Sequence, residues 1–232
     1  MNATNIYKDT TEAIRIFTGL HEIKGGFLEE LKRDPDGCTR SASPEIRALG
    51  ILLCLQRDAL HEMQRKEGRG SQLAGAKSLL KTALKQGHRE MPHGYWLDNS
   101  GRQCLCTGYH AARLLQPLEG LPKIPENVTP FNLDPIFDGC QANKPLNLPS
   151  VADVKLHIAK AKADRPDLYT GKHARPIEYD FGPGLPLVNA LYLLDLLQLL
   201  PDCSAKYGGL LDPLYFSSQA GDGVLLPVRR KV

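Results

Sequence analysis

The chain has 232 residues, 42% hydrophobic and 24% charged, with a net charge of +3. That composition suits one large or two small folded domains and excludes a disordered, fibrous or strongly basic nucleic-acid-binding chain. No apolar run approaches the ~18 residues of a membrane-spanning helix, and the first 25 residues interleave charged with apolar side chains instead of forming a signal-peptide core; the expectation is a cytoplasmic protein with no membrane partner.

The charge is unevenly placed. Residues 1–70 carry 11 Lys/Arg and 11 Asp/Glu, so the positive excess lies in 71–232. Residues 10–33 have apolar side chains at near-helical spacing (Ile14, Phe17, Leu20, Phe27, Leu28, Leu31), with a break expected at Gly25-Gly26. Ser43-Pro44 opens a second helix, serine as N-cap and proline in the first turn, ending near Glu67-Gly68. Residues 1–70 are thus expected to form a helical N-terminal unit, with a boundary at 68–71.

A third helix is predicted over about 72–86. It places Lys77, Lys81 and Lys85 four residues apart on one face, with Arg89 just beyond. Two strands follow at 90–98 and 102–107, joined by the turn Asn99-Ser100-Gly101, with Tyr109–Leu115 continuing the second or forming a third. Residues 116–149 are rich in proline and asparagine and read as a long loop or an insertion. A capped helix is expected at 150–164, with Ser150 and Asp153 forming the capping box. Residues 176–181 read as a strand, 182–186 as a turn and 187–200 as the most hydrophobic helix of the chain. Three strands, 204–208, 213–218 and 223–229, complete it, with Gly208-Gly209 and Asp222-Gly223 as turn signals. The order from residue 72 gives an α+β fold of two similar halves, each a helix followed by antiparallel strands, with the helices on one face.

The C-terminal segment resembles the last half-domain of the bacterial DNA-polymerase sliding clamp (beta subunit) family. The match runs through Val188, Asn189, Tyr192, Leu193, Leu194, Asp195 and Leu197, then Leu211-Asp212-Pro213-Leu214, then Leu226-Pro227-Val228-Arg229. Residues 94–114 resemble that family's hairpin. The likeness covers about 72–115 and 176–230, leaves about 116–175 as an insertion within a 71–232 domain, and does not extend to 1–70.

The resemblance implies a single clamp-like domain. Clamps line a central hole with helices whose basic residues meet the phosphate backbone of duplex DNA, a sequence-independent contact. Lys77, Lys81, Lys85 and Arg89 are the candidates for that contact; more plainly, they form a solvated helix face. The second helix lacks the basic character. Leu191, Leu194, Leu196, Leu197 and Leu199 make it apolar nearly all round, which predicts burial or an interface. Its cover is expected to be the N-terminal helices or a second subunit. Clamps also hold partner-protein motifs near a closing strand, which implies Leu226, Pro227, Val228 and Arg229 as partner-cleft candidates; as residues they also read as a terminal core strand.

No phosphate loop, dinucleotide fingerprint, zinc-protease or nucleophile-elbow motif occurs. Six cysteines are scattered without a CxxC pair, so they are expected to be reduced and structural; a zinc site from Cys104, Cys106 and His110 has the wrong spacing. No cofactor, metal or catalytic residue is implied. Trp96 is expected to fill core. Asp98, Asp180, Asp195, Asp212 and Asp222 are expected mostly at turns. The functional expectation is a non-enzymatic interaction protein with a protein partner, with a ring-forming homo-oligomer on duplex DNA as the alternative and an enzyme as the third choice.

Overall fold

A computed structural model of the protein describes residues 3–86, 93–140, 142–169 and 175–229. The N-terminal part holds α1 (Ala3–Leu20), α2 (Gly25–Arg33), α3 (Pro35–Cys38) and α4 (Pro44–Lys66). Ser43 caps α4 as expected, its side chain accepting from the Ile46 backbone N–H. The break after α1 falls at 21–24, where Glu22 takes a left-handed conformation; Gly25 instead opens α2. Helix α1 packs along α4, and Ile14, Leu31, Leu49 and Leu53 form a small core of their own.

Helix α5 (Gly70–Gln86) starts two residues earlier than its apolar pattern predicts. Then follow β1 (Trp96–Leu97), β2 (Gln103–Cys106), β3 (His110–Leu114), α6 (Asp134–Asp138), β4 (Lys144–Leu146), α7 (Val151–Asp164) and α8 (Pro166–Tyr169). The capping box of Ser150 and Asp153 is present at the start of α7. The chain continues through β5 (Glu178–Asp180), β6 (Leu187–Asn189), α9 (Ala190–Leu199), β7 (Ser204–Tyr207), β8 (Leu214–Ser218) and β9 (Gly221–Leu225).

The fold is mixed α+β. Its main sheet has seven strands in the order β1-β2-β3-β9-β8-β7-β4, every pair antiparallel, and β5 and β6 form a separate antiparallel pair. Two units are visible in that order. Helix α5 leads into the meander β1-β2-β3 and helix α9 into β7-β8-β9, and their last strands, β3 and β9, pair at the centre. Helices α5 and α9 pack on each other and on the same side of the sheet, and α7 packs on α9.

Period-two alternation divides the sheet's side chains between two cores. Leu105, Ala112, Leu114, Leu214, Phe216 and Leu225 face the helices. Cys104, Cys106, Ala111 and Val224 face the other way, where Trp96, Ile124, Leu133 and Phe137 cover them. Trp96 is thus core, as expected. Residues 116–149, read from the sequence as a loop or insertion, supply most of that second cover, and add the edge strand β4 beside β7.

Three expectations need correction. The apolar run at 187 begins as strand β6, whose first residue pairs with Asp180, and turns helical only at Ala190. Asp222-Gly223 is no turn: both lie inside β9, opposite Arg113 and Ala112. A Cβ at Gly223 would come within 2.8 Å of Leu200 Cδ1 and 3.1 Å of Leu196 Cδ2, so any larger residue there must displace both leucine tips. The closing strand ends at Leu225, so Leu226–Arg229 is not a core strand. The segment leaves the sheet with Leu226 N–H donating to Tyr109 O and Val228 N–H to Leu187 O.

Candidate functional site

Helix α9 carries the buried-helix expectation almost whole. Leu193, Leu196 and Leu199 are fully buried and Leu197 is 8% exposed. Leu194 is half-buried, and Leu191 is the correction at 40% exposed. The cover is α5 and α7 on one side and the sheet on the other, and not α1–α4. Of the helix's polar residues, Asn189, Asp195 and Gln198 are buried and Tyr192 is half-buried.

Asp195 is the polar centre of this interior. It lies mid-helix rather than at a turn, and its Oδ2 is 3.2 Å from His110 Nε2, both residues 2% exposed. On the other side of the ring, Thr107 Oγ1 is 2.9 Å from Nδ1. Thr107 Oγ1 also accepts the backbone N–H groups of Tyr109 and His110. The network therefore assigns Nε2–H as donor to Asp195 and the threonine hydroxyl as donor to Nδ1. Tyr192 stacks on the His110 ring at 4.5 Å between centroids, and Tyr109 stacks on Tyr192. A hydroxyl, an imidazole and a carboxylate in a row have the makings of nucleophilic catalysis. Here the hydroxyl oxygen is taken up by two amides and the whole row is sealed from solvent. It serves as a bolt between the β2–β3 turn and α9.

A second buried polar knot fastens the sheet's far face. Arg113 forms a two-pronged pair with Asp222 and a 3.0 Å bond to Asp134, and stacks over Phe137 at 3.7 Å. Cys104 and Cys106 lie on this face, with the sheet between them and His110, so the three do not form a metal or catalytic group. Burial pushes both thiols up to about 12, which leaves them protonated and inert near neutrality. Among the described residues no group of three or more metal-ligating side chains occurs.

The accessible grouping lies elsewhere, where the N-terminal helices meet α5 and the 116–128 segment. The join is made by side chains reaching for loop carbonyls. Gln64 Nε2 donates to Glu119 O at 2.9 Å, and Arg69 donates to Gln116 O and Pro117 O. His61 Nε2 lies 3.3 Å from Gly120 O, and its Nδ1 lies 2.9 Å from Lys77 Nζ. With Nε2–H donating to the carbonyl, Nδ1 is free to accept from the Lys77 ammonium. Burial, reinforced by the Lys77 charge, pushes His61 down to about 4. Burial and then the Arg57 and Arg65 charges also lower Lys77 from its ordinary value.

Beside this pair opens a cleft of about 810 Å³, joined to a smaller one of about 330 Å³ through shared Arg57, Gly120 and Pro122. Lys77 and Lys81, two of the predicted backbone-contact residues, line it; Lys85 stays on the exposed surface of α5, and Arg89 lies outside the described residues. The sequence signal for Lys77 and Lys81 was their four-residue spacing; His61 had none, because its partners come from another helix and a loop.

The Leu226–Arg229 candidates border a different surface. Leu226 is 38% exposed and Tyr109 48% exposed, with Pro227 and Val228 half-buried and Arg229 exposed. Comparison with known proteins gave no matching family model, no matching curated protein and no matching solved structure. Among the described residues no helix is long and apolar enough to cross a membrane.

Proposed function

We infer that this chain is a non-enzymatic interaction protein with a sliding-clamp-like arrangement that does not encircle DNA. The observation that carries this is the enclosure of α9. In a clamp-like ring that helix would face duplex DNA, yet here Leu193, Leu196, Leu197, Leu199 and Asp195 are buried among α5, α7 and the sheet. Exposing it would present an apolar patch and the Asp195 carboxylate to a polyanion, both unfavourable. The pairing of two helix-plus-meander units through β3 and β9 supports the clamp-like arrangement. The sheet's edges fit poorly with growth into a ring. One is capped by a Tyr95–Lys123 bridge, and the other, β4, is three residues long with Pro145 in its middle.

Light scattering with and without duplex DNA, at low and moderate salt, tests this. A monomer or dimer whose mass ignores DNA is the expected result. A ring-sized oligomer overturns it. So does salt-sensitive DNA binding that is lost when Lys77, Lys81 and Lys85 are changed to Glu.

A further inference from the structure

The cleft between the N-terminal helices and α5 has two kinds of wall. Its larger chamber is lined by five cations, Lys32, Arg33, Arg57, Lys77 and Lys81, against three carboxylates, Asp34, Asp36 and Asp58. The carboxylates are already engaged. Asp34 caps α3 by accepting from the Gly37 N–H at 2.9 Å, and Asp36 and Asp58 both take Arg57. Arg33 and Lys81, by contrast, have no ion-pair partner among the described residues. Lys77 gives one N–H to His61 and keeps two for another acceptor. Burial first, and then the Arg57 and Arg65 charges against an opposing Asp58, disfavour the charged form of Lys77. A bound anion would relieve that.

Apart from His61 and His93, the rest of the lining is apolar or glycine. Leu80, Leu121, Pro122 and Val128 contribute to it, and Leu84 stands at 64% exposed on the same wall as Lys77 and Lys81. An inorganic anion would leave those carbons in water, and a neutral apolar molecule would leave the ammonium groups without an acceptor. The volume lies in the range of small-molecule sites, which favour boundaries between structural units.

We propose that this cleft binds a small organic anion, a carboxylate or phosphate head held by Lys77 and Lys81 with an apolar body laid against Leu80, Leu84 and Leu121. The site stands apart from the clamp-like reading, since it requires neither a ring nor its absence.

The test is calorimetric titration of the full chain with octanoate, octyl phosphate, octylammonium, 1-octanol and inorganic phosphate. Octanoate or octyl phosphate is expected to bind one molecule per chain, and which of them binds more tightly identifies the head group. Octanol and inorganic phosphate should bind at least about tenfold more weakly, and octylammonium weaker still, because a charge-assisted hydrogen bond and the apolar contact each contribute on that scale. Lys81→Glu and Lys77→Met should each weaken octanoate by about tenfold or more. Lys81 is exposed, so its variant keeps the urea midpoint and the test survives even if Lys77→Met disturbs the join with His61. Lys206→Met, on β7, should bind like the parent. The proposal fails if octylammonium or octanol matches octanoate, if inorganic phosphate matches it, if Lys81→Glu binds it unchanged, or if no probe binds.

Discussion

Two histidines of this protein are almost equally buried, His110 at 2% and His61 at 4% exposed, yet their surroundings differ in kind. His110 is closed on every ring atom that can bond, between Thr107 and Asp195, and is roofed by Tyr192. His61 is held by a carbonyl and by an ammonium whose remaining protons face a cleft. A saturated polar row can only hold elements together, whereas an unsaturated one at the edge of a cavity can exchange partners with a ligand. The resemblance to a catalytic row is greater at His110, and the access is greater at His61. Helix α5 is the shared wall. Gly75 touches α9 at Asp195, and Lys77, two residues on, turns to His61.

The largest expected effect comes from breaking the closed site. Asp195→Ala leaves the buried His110 Nε2–H without its acceptor and opens space in α9, and should cost about 3 kcal/mol of unfolding free energy in urea titrations. A paired change, His110→Phe with Asp195→Leu, should recover most of it, because replacing both partners of a buried hydrogen bond by well-packed apolar side chains can be nearly neutral. Failure to recover would mean that the row does more than fasten the fold.

Next is the wall between the two sites. A Cβ on Gly75 would meet the Asp195 carbonyl oxygen at 2.7 Å and the Gln198 Cβ at 3.0 Å. Both are firm neighbours, so Gly75→Ala must push α5 away from α9. A loss of about 1–3 kcal/mol is expected from such overpacking. Because α5 also carries Lys77, the same variant should weaken octanoate binding in the cleft. Unchanged affinity alongside lost stability would show that the two sites are mechanically independent.

A smaller effect separates the histidines by pH. His61 ordinarily titrates near 6.5 and is pushed to about 4 when folded. The unfolded chain therefore takes up a proton that the folded chain refuses, so this contribution is complete above pH 6.5 and is lost as the pH falls toward 4. The loss should be on the order of 1–2 kcal/mol once screening at this partly open site is allowed for. His61→Gln should flatten that limb. Carboxylates lowered by their partners, such as Asp36 beside Arg57, lose their contribution only at still lower pH, which keeps the two windows distinguishable.

Legibility in the sequence followed the range of the interactions. Helices α4 and α7 were readable because their caps are local: Ser43 to Ile46, and Ser150 with Asp153. Strands β7 and β8 were readable from short β-type runs between turn signals. What depended on distant partners was not. Strand β6 looked like helix because Leu187–Asn189 continues an apolar run, and only its pairing with Glu178–Asp180 makes it a strand. Asp222-Gly223 carried a turn signal that Arg113, 109 residues away, and the packing of Leu200 override. The 116–149 segment has too few apolar residues for any period, yet Ile124, Leu133 and Phe137 suffice to cover a sheet face. At the cleft, the lysine spacing was visible and the join that gives it meaning was not.

The smallest expected effect tests whether α9 is an interior helix in the sense required. Its one strongly exposed leucine, Leu191, sits one residue from Tyr192, whose ring stacks between His110 and Tyr109. If that surface is simply solvated, Leu191→Ala should change stability by about 0.5 kcal/mol or less, while Leu196→Ala, five residues along and fully buried, should cost about 2–5 kcal/mol. The ratio, measured by urea titration at two protein concentrations, also reports on covering. A Leu191→Ala loss that grows with concentration would place a second copy of the chain over Tyr109, Leu191 and Leu226, since only an association that favours the folded state makes stability depend on concentration. A concentration-independent ratio would leave α9 sealed by its own chain alone, as α5, α7 and the sheet already seal the rest of it.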